Sequence, residues 1–207
     1  VEPDLSPVVF VVDDDPAMRD SLVFLIGGVG HECVAFPSAE AFLAGGRRDR
    51  PGCLVVDVRM PGMSGLDLQQ ALKAEGTTLG IVFITGHGDV PMAVRAIRDG
   101  AVEFLEKPVN DQMLLDRIGD AIRKSIAATQ LRRRRAEVEA RRNRLTPRER
   151  AVLDLVVAGK PNKSIAAELD ISVKTVEVHR HNVMEKMEVR SAVELARLFS
   201  SCLGGNP

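Results

Sequence analysis

The chain contains no tryptophan and no tyrosine, and aromatic residues make up only 3% of its 207 positions. Base stacking on aromatic side chains, the common mode of single-strand binding, therefore has almost nothing to work with. Cysteine is equally scarce. Cys33, Cys53 and Cys202 lie far apart and show no CxxC or Cys/His spacing. That argues against a disulfide framework or a zinc site and fits a reducing compartment. Cys53, inside an apolar run, reads as a small core residue. No apolar run approaches the roughly 18–20 residues of a membrane span, and the N-terminus shows no signal-peptide pattern. The expected location is the cytoplasm.

Charge is plentiful but unevenly placed. The net charge of −1 hides 12 Lys+Arg against 19 Asp+Glu in residues 1–124, and 16 against 10 in residues 125–207. Such a split points to two domains with different partners, nucleic acid being a candidate for the basic half.

The first 125 or so residues alternate short apolar runs with helical periodicity. Strands read at Val8–Val12, Cys33–Phe36, Cys53–Asp57, Ile81–Thr85 and Val102–Leu105. Helices read at Ala17–Gly27, Ala39–Ala44, Gly65–Ala74 and Pro91–Arg98, with a fifth from Asp111 to about Lys124. Strict alternation predicts an α/β doubly wound parallel sheet with helices on both faces. Five strands favour the order 2-1-3-4-5, with a crevice between strands one and three. Residues 125–144, including Arg132-Arg133-Arg134-Arg135, lack Gly and Pro and consist largely of good helix formers. A continuing helical linker is expected there. Beyond Leu145 the pattern is of short helices: Thr146-Pro147-Arg148-Glu149 is a capping box with Pro at the first helical position. Asn162, Ser172 and Ser191 are further candidate caps. A short helix, the turn Asp170-Ile171-Ser172 and a longer helix Val173–Met187 make a helix-turn-helix arrangement. The domain reading is 1–124, then a 125–144 linker, then an all-α 145–207.

The residues that end the strand runs carry the chemistry. Ligands of an open parallel sheet bind beyond the carboxyl ends of its strands. There the sequence places Asp13 and Asp14, then Asp57, Thr85 and Lys107. Asp13, Asp14 and Asp57 can hold Mg²⁺, a small cation that prefers oxygen ligands, or another divalent ion such as Mn²⁺. The backbone carbonyl of Arg59 can add a ligand. Asp57 is the expected phosphoryl acceptor, Lys107 the cation that balances the added charge, and Thr85 a hydroxyl donor to a phosphoryl oxygen.

At this point the chain resembles a known family. Val11-Val12-Asp13-Asp14-Asp15, Asp57-Val58-Arg59-Met60-Pro61-Gly62-Met63-Ser64-Gly65, Thr85-Gly86-His87-Gly88-Asp89 and Lys107-Pro108 resemble the receiver domain of two-component response regulators. The block from Thr85 to Val94 is similar to the FixJ branch. The resemblance implies that Asp57 accepts a phosphoryl group from a sensor histidine kinase and that Asp14, Asp57 and the Arg59 carbonyl hold Mg²⁺, with Asp13 assisting. It further implies that Phe104 turns inward as Thr85 moves toward the phosphate, and that the Lys107–Pro108 bond is cis. His87, beside the site, is a candidate modulator of hydrolysis, or a plain loop residue.

Leu145–Leu198 resembles the LuxR/FixJ/NarL type of helix-turn-helix, through Leu145-Thr146-Pro147-Arg148-Glu149-Arg150, Gly159, Asn162-Lys163, Ile165-Ala166, Thr175-Val176, His179 and Lys186-Met187. By position the likeness assigns base contacts to Glu177, Val178 and His181. Lys174, Thr175, Arg180, Asn182 and Lys186 become phosphate candidates, and His179 a packing or capping residue. Val176, Val183 and Met187 form the inward stripe of that helix.

The function implied is that of a bacterial transcription factor controlled by phosphorylation, a homodimer when phosphorylated, whose partners include promoter DNA and RNA polymerase. It is not an enzyme beyond slow autodephosphorylation. An aspartate-nucleophile phosphatase would use the same acceptor, but it carries a second Asp two residues past the nucleophile, where this chain has Arg59. A receiver acting by protein contacts alone leaves the basic half unexplained.

Overall fold

A strand buried on both faces must be apolar at every position, because successive side chains enter opposite helical layers. The computed structural model, which describes residues 6–46, 50–86 and 89–202, shows this in β1 (Val8–Val12), β3 (Gly52–Val56) and β4 (Gly80–Thr85), each buried throughout. β2 (Glu32–Phe36) forms one edge of the sheet and β5 (Glu103–Glu106) the other. The order is β2-β1-β3-β4-β5 and every pair is parallel, as the alternation predicts. The helices α1 (Pro16–Gly28), α2 (Ala39–Gly45), α3 (Gly65–Ala74) and α4 (Val90–Arg98) connect successive strands, and α5 (Asp111–Asn143) comes after the last. His87 lies outside the described residues.

Alternate strand positions feed two cores. Phe10, Val12, Leu54, Val56 and Phe83 pack with Phe42 of α2 and Leu68 and Leu72 of α3. Val9, Val11, Cys53, Val55 and Val82 pack with Leu22 and Ile26 of α1 and with Leu114, Ile118 and Ile122 of α5. Cys53 is a fully buried core residue, as expected.

The β1–β3 register determines where the acids fall. Val8 pairs with Gly52 and Val12 with Val56. At the amino end the fit is close: a Cβ on Gly52 would stand 1.9 Å from the Val8 carbonyl oxygen, and the Gly52 N–H donates to Ser125 Oγ at 2.9 Å. At the carboxyl end the next residues, Asp13 and Asp57, emerge side by side. β3 ends at Val56, so Asp57, whose N–H donates to the Val12 carbonyl at 2.9 Å, is the first residue past the strand rather than its last. β5 lies one residue later than predicted, since the ladder with β4 runs on until Glu106 meets Thr85.

The chain divides into two compact units, Val1–Thr129 and Gln130–Pro207. Helix α5 runs unbroken through the arginine stretch, as its composition predicts. The second unit also contains α6 (Pro147–Val157), α7 (Asn162–Leu169), α8 (Val173–Met187) and α9 (Ala192–Cys202). Its core joins Val152, Leu153 and Val156 to Ile165, to the predicted stripe Val176, Val183 and Met187, and to Leu195. The capping box at Thr146 and Glu149 forms. Ser172 and Ser191 accept from the N–H groups of Thr175 and Glu194 at 3.0 and 3.1 Å. Asn162 does not cap α7 but is its first residue; Pro161 holds the cap position, without a side-chain bond. The Pro161 carbonyl accepts from Ser164 and Ile165 instead, so the helix starts one residue early. Asp170, in the left-handed region at φ 53°, ends α7 and begins the turn into α8.

Candidate functional site

Three aspartates converge at the carboxyl end of the sheet. Asp13, Asp14 and Asp57 each offer a carboxylate oxygen, and these oxygens lie within 4.8 Å of one another. Asp13 is buried, Asp57 half-buried and Asp14 exposed, so the cluster opens to solvent on one side. Asp15 donates its N–H to Asp13 Oδ1 at 2.9 Å, but its carboxylate is not part of the cluster. Its Oδ1 accepts from the Ala17 N–H at 2.9 Å and caps α1.

Lys107 bridges the cluster. Its Nζ lies 2.8 Å from Asp13 Oδ2 and 3.3 Å from Asp57 Oδ2, and its N–H donates to the Thr85 carbonyl at 2.8 Å. The Lys107–Pro108 bond is cis. Burial by itself would lower the Lys107 pKa, but the hydrogen bonds and charges of Asp13 and Asp57 outweigh it and hold the ammonium above its usual value. Its charge is therefore secure through neutral pH. Thr85 is buried beside it. Arg59 is exposed, and its N–H donates to Asp57 Oδ1 at 3.3 Å. A set of three hard carboxylate oxygens suits Mg²⁺, and the residues present fit that ion.

Phe104 sits half-buried on β5 with its ring 6.0 Å from that of Phe83. With Asp89, Val90, Ala93 and Glu106 it lines a cavity of about 230 Å³. Val90, Val94 and Ile97 of the adjoining α4 are exposed at 76%, 44% and 45%, an apolar face without cover from the described residues.

Two contacts around the cluster have no signature in the sequence. Arg19 of α1 donates to the Asp13 carbonyl at 2.7 Å. Glu40, at the start of α2, accepts from the Met63 N–H at 2.7 Å and so steadies the loop between Asp57 and α3. Hydrogen bonds from its own N–H and then from Met63 hold the Glu40 carboxyl below its usual range. Gly62 in that loop has φ +78°, and a Cβ there would meet Glu40 Oε1 at 2.6 Å.

In the second unit α8 turns Lys174, Glu177, Val178 and His181 to solvent, with Thr175, Arg180 and Asn182 half-exposed at the flanks. Thr175 Oγ1 is 2.8 Å from Ser172 Oγ. His179 is half-buried, and its Nδ1 has no hydrogen-bond partner among the described residues. Lys186 differs from its neighbours. Its Nζ donates to Glu149 Oε2 at 2.6 Å, tying the end of α8 to the capping box of α6.

The comparisons with known proteins cover both parts of the chain. Residues 9–119 match the response regulator receiver domain family, and residues 143–199 match the LuxR family of bacterial regulatory proteins. The chain belongs to the two-component response regulators with a LuxR-type DNA-binding domain. It is 47% identical over 190 residues to the transcriptional regulatory protein FixJ of Bradyrhizobium diazoefficiens, covering 92% of this chain and 93% of that one. It is 44% identical over 195 residues to the response regulator TodT of Pseudomonas putida, covering 94% and 86%. Among solved structures, the response regulator StyR matches with a TM-score of 0.82 and 47% identity, over 94% of this chain and 98% of that chain. No helix among the described residues is long and apolar enough to cross a membrane.

The Glu149 contact has a consequence for pH. Burial would raise this carboxyl, but the hydrogen bond from Lys186 and those from Thr146 dominate and hold it at about 2, against an ordinary 4.5. A depressed folded-state pKa stabilises fully above the unfolded value, and that stability is lost as pH falls through the folded one. Thermal unfolding of the second unit should therefore lose stability between about pH 4.5 and pH 2. Glu149→Gln should cost about 1–3 kcal/mol at neutral pH and flatten the profile in that window. A variant as acid-sensitive as the wild type would contradict this account.

Proposed function

We propose that this regulator accepts a phosphoryl group on Asp57 from the phosphohistidine of a sensor kinase, and that the modified receiver controls promoter binding by the LuxR-type unit. The observation that carries the reading is the Lys107 bridge between the Asp13 and Asp57 carboxylates. It supplies positive charge where an acyl phosphate on Asp57 would add negative charge. In the transfer, a carboxylate oxygen of Asp57 forms the new O–P bond, the N–P bond of the donor breaks, and the departing imidazole takes up a proton. Asp13, Asp14, Asp57 and the Arg59 carbonyl would hold Mg²⁺, which would supply positive charge to the phosphoryl oxygens. Thr85 donates a hydrogen bond to one of those oxygens, and Phe104 follows it inward. The proposed domain division is a receiver at 1–124, a linker at 125–144 and a DNA-binding domain at 145–207, working in the bacterial cytoplasm with RNA polymerase as a partner.

Phosphorylation favours a homodimer through the exposed face of α4 and β5. Moving a state from 1% to 99% occupancy takes about 5.5 kcal/mol of differential stabilisation, more than one new phosphate contact supplies. Sedimentation should show a doubled mass on treatment with acetyl phosphate and Mg²⁺. An unchanged mass at concentrations where DNA binding improves rules this route out.

Selection of bound DNA with and without acetyl phosphate tests the reading as a whole. A pair of α8 helices in major grooves one turn apart calls for an imperfect palindrome with about 10 bp between half-site centres. Glu177→Ala or His181→Ala should alter preference at particular base pairs, by about 1–3 kcal/mol. Lys174→Ala should weaken all sequences alike and flatten the salt slope by about one unit. If no sequence is enriched in either state, the DNA-binding role fails.

A further inference from the structure

The positive charge of the C-terminal half does not reside in the helix-turn-helix. Residues 145–207 hold nine Lys and Arg against eight Asp and Glu, whereas residues 125–144 hold seven against two. The exposed residues of α8 include two acids, Glu177 and Glu185, against one base, Lys174. A duplex presents a dense row of phosphates, and sequence-independent affinity comes from the cations that neutralise them. The helix-turn-helix by itself is poorly equipped for that.

Nor are all the linker arginines equivalent. Arg141 and Arg144 both pair with Glu188, at 2.9 and 3.2 Å, and Arg142 lies 3.7 Å from Asp154. Arg133, Arg134 and Arg135 enter no ion pair with a described residue, and Arg134 and Arg135 are exposed. These residues fall outside both matched family regions, which end at residue 119 and begin at residue 143.

We propose that the run Arg132–Arg135 of α5 is a second, sequence-independent contact for the phosphate backbone of duplex DNA, flanking the groove that receives α8. The inference rests on the DNA-binding reading above. Arg141 donates to the Met187 carbonyl at the end of α8, which places α5 against that end of the recognition helix. At 1.5 Å per residue, Arg135 to Arg132 lie about 9–14 Å further along α5, a distance comparable with the major-groove width of about 12 Å. Successive residues turn by about 100° around a helix, so four arginines sweep most of its circumference. One or two of them face the duplex whatever the roll of α5.

The test is a salt titration of DNA binding by the full phosphorylated chain, on a random-sequence duplex and on the selected site. Replacing all four arginines with Gln, a comparable helix former, should lower the salt slope by about two units and weaken binding at 0.1 M salt by roughly 10–100-fold. The selected motif should stay the same. Replacing all four with Lys should restore the slope, and circular dichroism should show equal helix content in all three proteins. An unchanged slope in the Gln protein overturns the proposal. So does tighter binding, which would mean that the arginines serve the acidic N-terminal unit. If the wild-type chain binds neither duplex, the DNA-binding role falls and this contact with it.

Discussion

Asp57→Asn is expected to abolish uptake of a phosphoryl group from acetyl phosphate while leaving the chain folded. The amide has no carboxylate oxygen to form the acyl phosphate, and nothing else in the cluster replaces it. Asp13 is buried and paired with Lys107, and Asp14 is exposed. Stability should hold because Lys107 keeps its shorter contact, the 2.8 Å bond to Asp13. The Asp57 N–H is unaffected by the change and keeps its bond to Val12. A change within about 1 kcal/mol is expected for a half-buried group that leaves its neighbours paired. Intact-mass spectrometry reads the result as the loss of one phosphoryl increment that the wild type gains in the presence of Mg²⁺. Asp14→Ala makes a useful companion: it keeps the nucleophile and should slow labelling by demanding more Mg²⁺. Continued labelling of the Asp57→Asn protein would remove Asp57 from its assigned role.

The second large effect should come from a residue with no chemistry of its own. Gly65 opens α3, and a Cβ there would stand 2.2 Å from the Asp57 carbonyl oxygen and 3.2 Å from the Phe83 ring. Backbone at that distance cannot rotate away as a flexible side chain would, so Gly65→Ala must displace either the start of α3 or Asp57 itself. Overpacking of this kind costs about 1–3 kcal/mol, occasionally more, and here the strain falls on Asp57. Labelling of Asp57 should slow even under conditions where the variant is fully folded. Gly27→Ala is the contrast. Nothing lies within 4 Å of a Cβ at that position in α1, and the better helix former should be neutral or add up to about 1 kcal/mol. Equal unfolding midpoints and equal labelling rates for the two variants would contradict the steric argument.

Much of the receiver was legible in the sequence because its strands are buried on both faces. Val8–Val12 and Ile81–Ile84 stand out as apolar throughout, and the residues that follow each run necessarily fall at the carboxyl edge of the sheet. The pattern alone therefore brings Asp13, Asp57, Thr85 and Lys107 together. Strand ends were less legible: β3 stops at Val56, one residue short of Asp57, and β5 runs on to Glu106, one residue past the apolar Leu105. The supporting contacts could not be read at all. Glu40 reaches Met63 across 23 residues, and Lys186 reaches Glu149 across 37. Neither pair has a helix or strand period; each exists only because packing brings two elements together. Lys186 shows the hazard: by position on α8 it looks like a phosphate cation, and its partner is visible only in three dimensions. The Asn162 cap is absent for a local reason, because the preceding proline was already extended and took the cap position.

Gly52 acts as an indexing pin for the chemistry at the opposite end of its strand. Asp57 lies five residues further on, roughly 16 Å away at the usual strand rise. The clearance of Gly52 against the Val8 carbonyl admits only a residue without a Cβ. Sliding β3 by one position would exchange the faces of all its side chains and bring a different residue opposite Val8, where that clearance forbids it. The alignment of two carboxylates with one ammonium is thus guarded from a distance, by a point of steric intolerance that touches neither substrate nor ion.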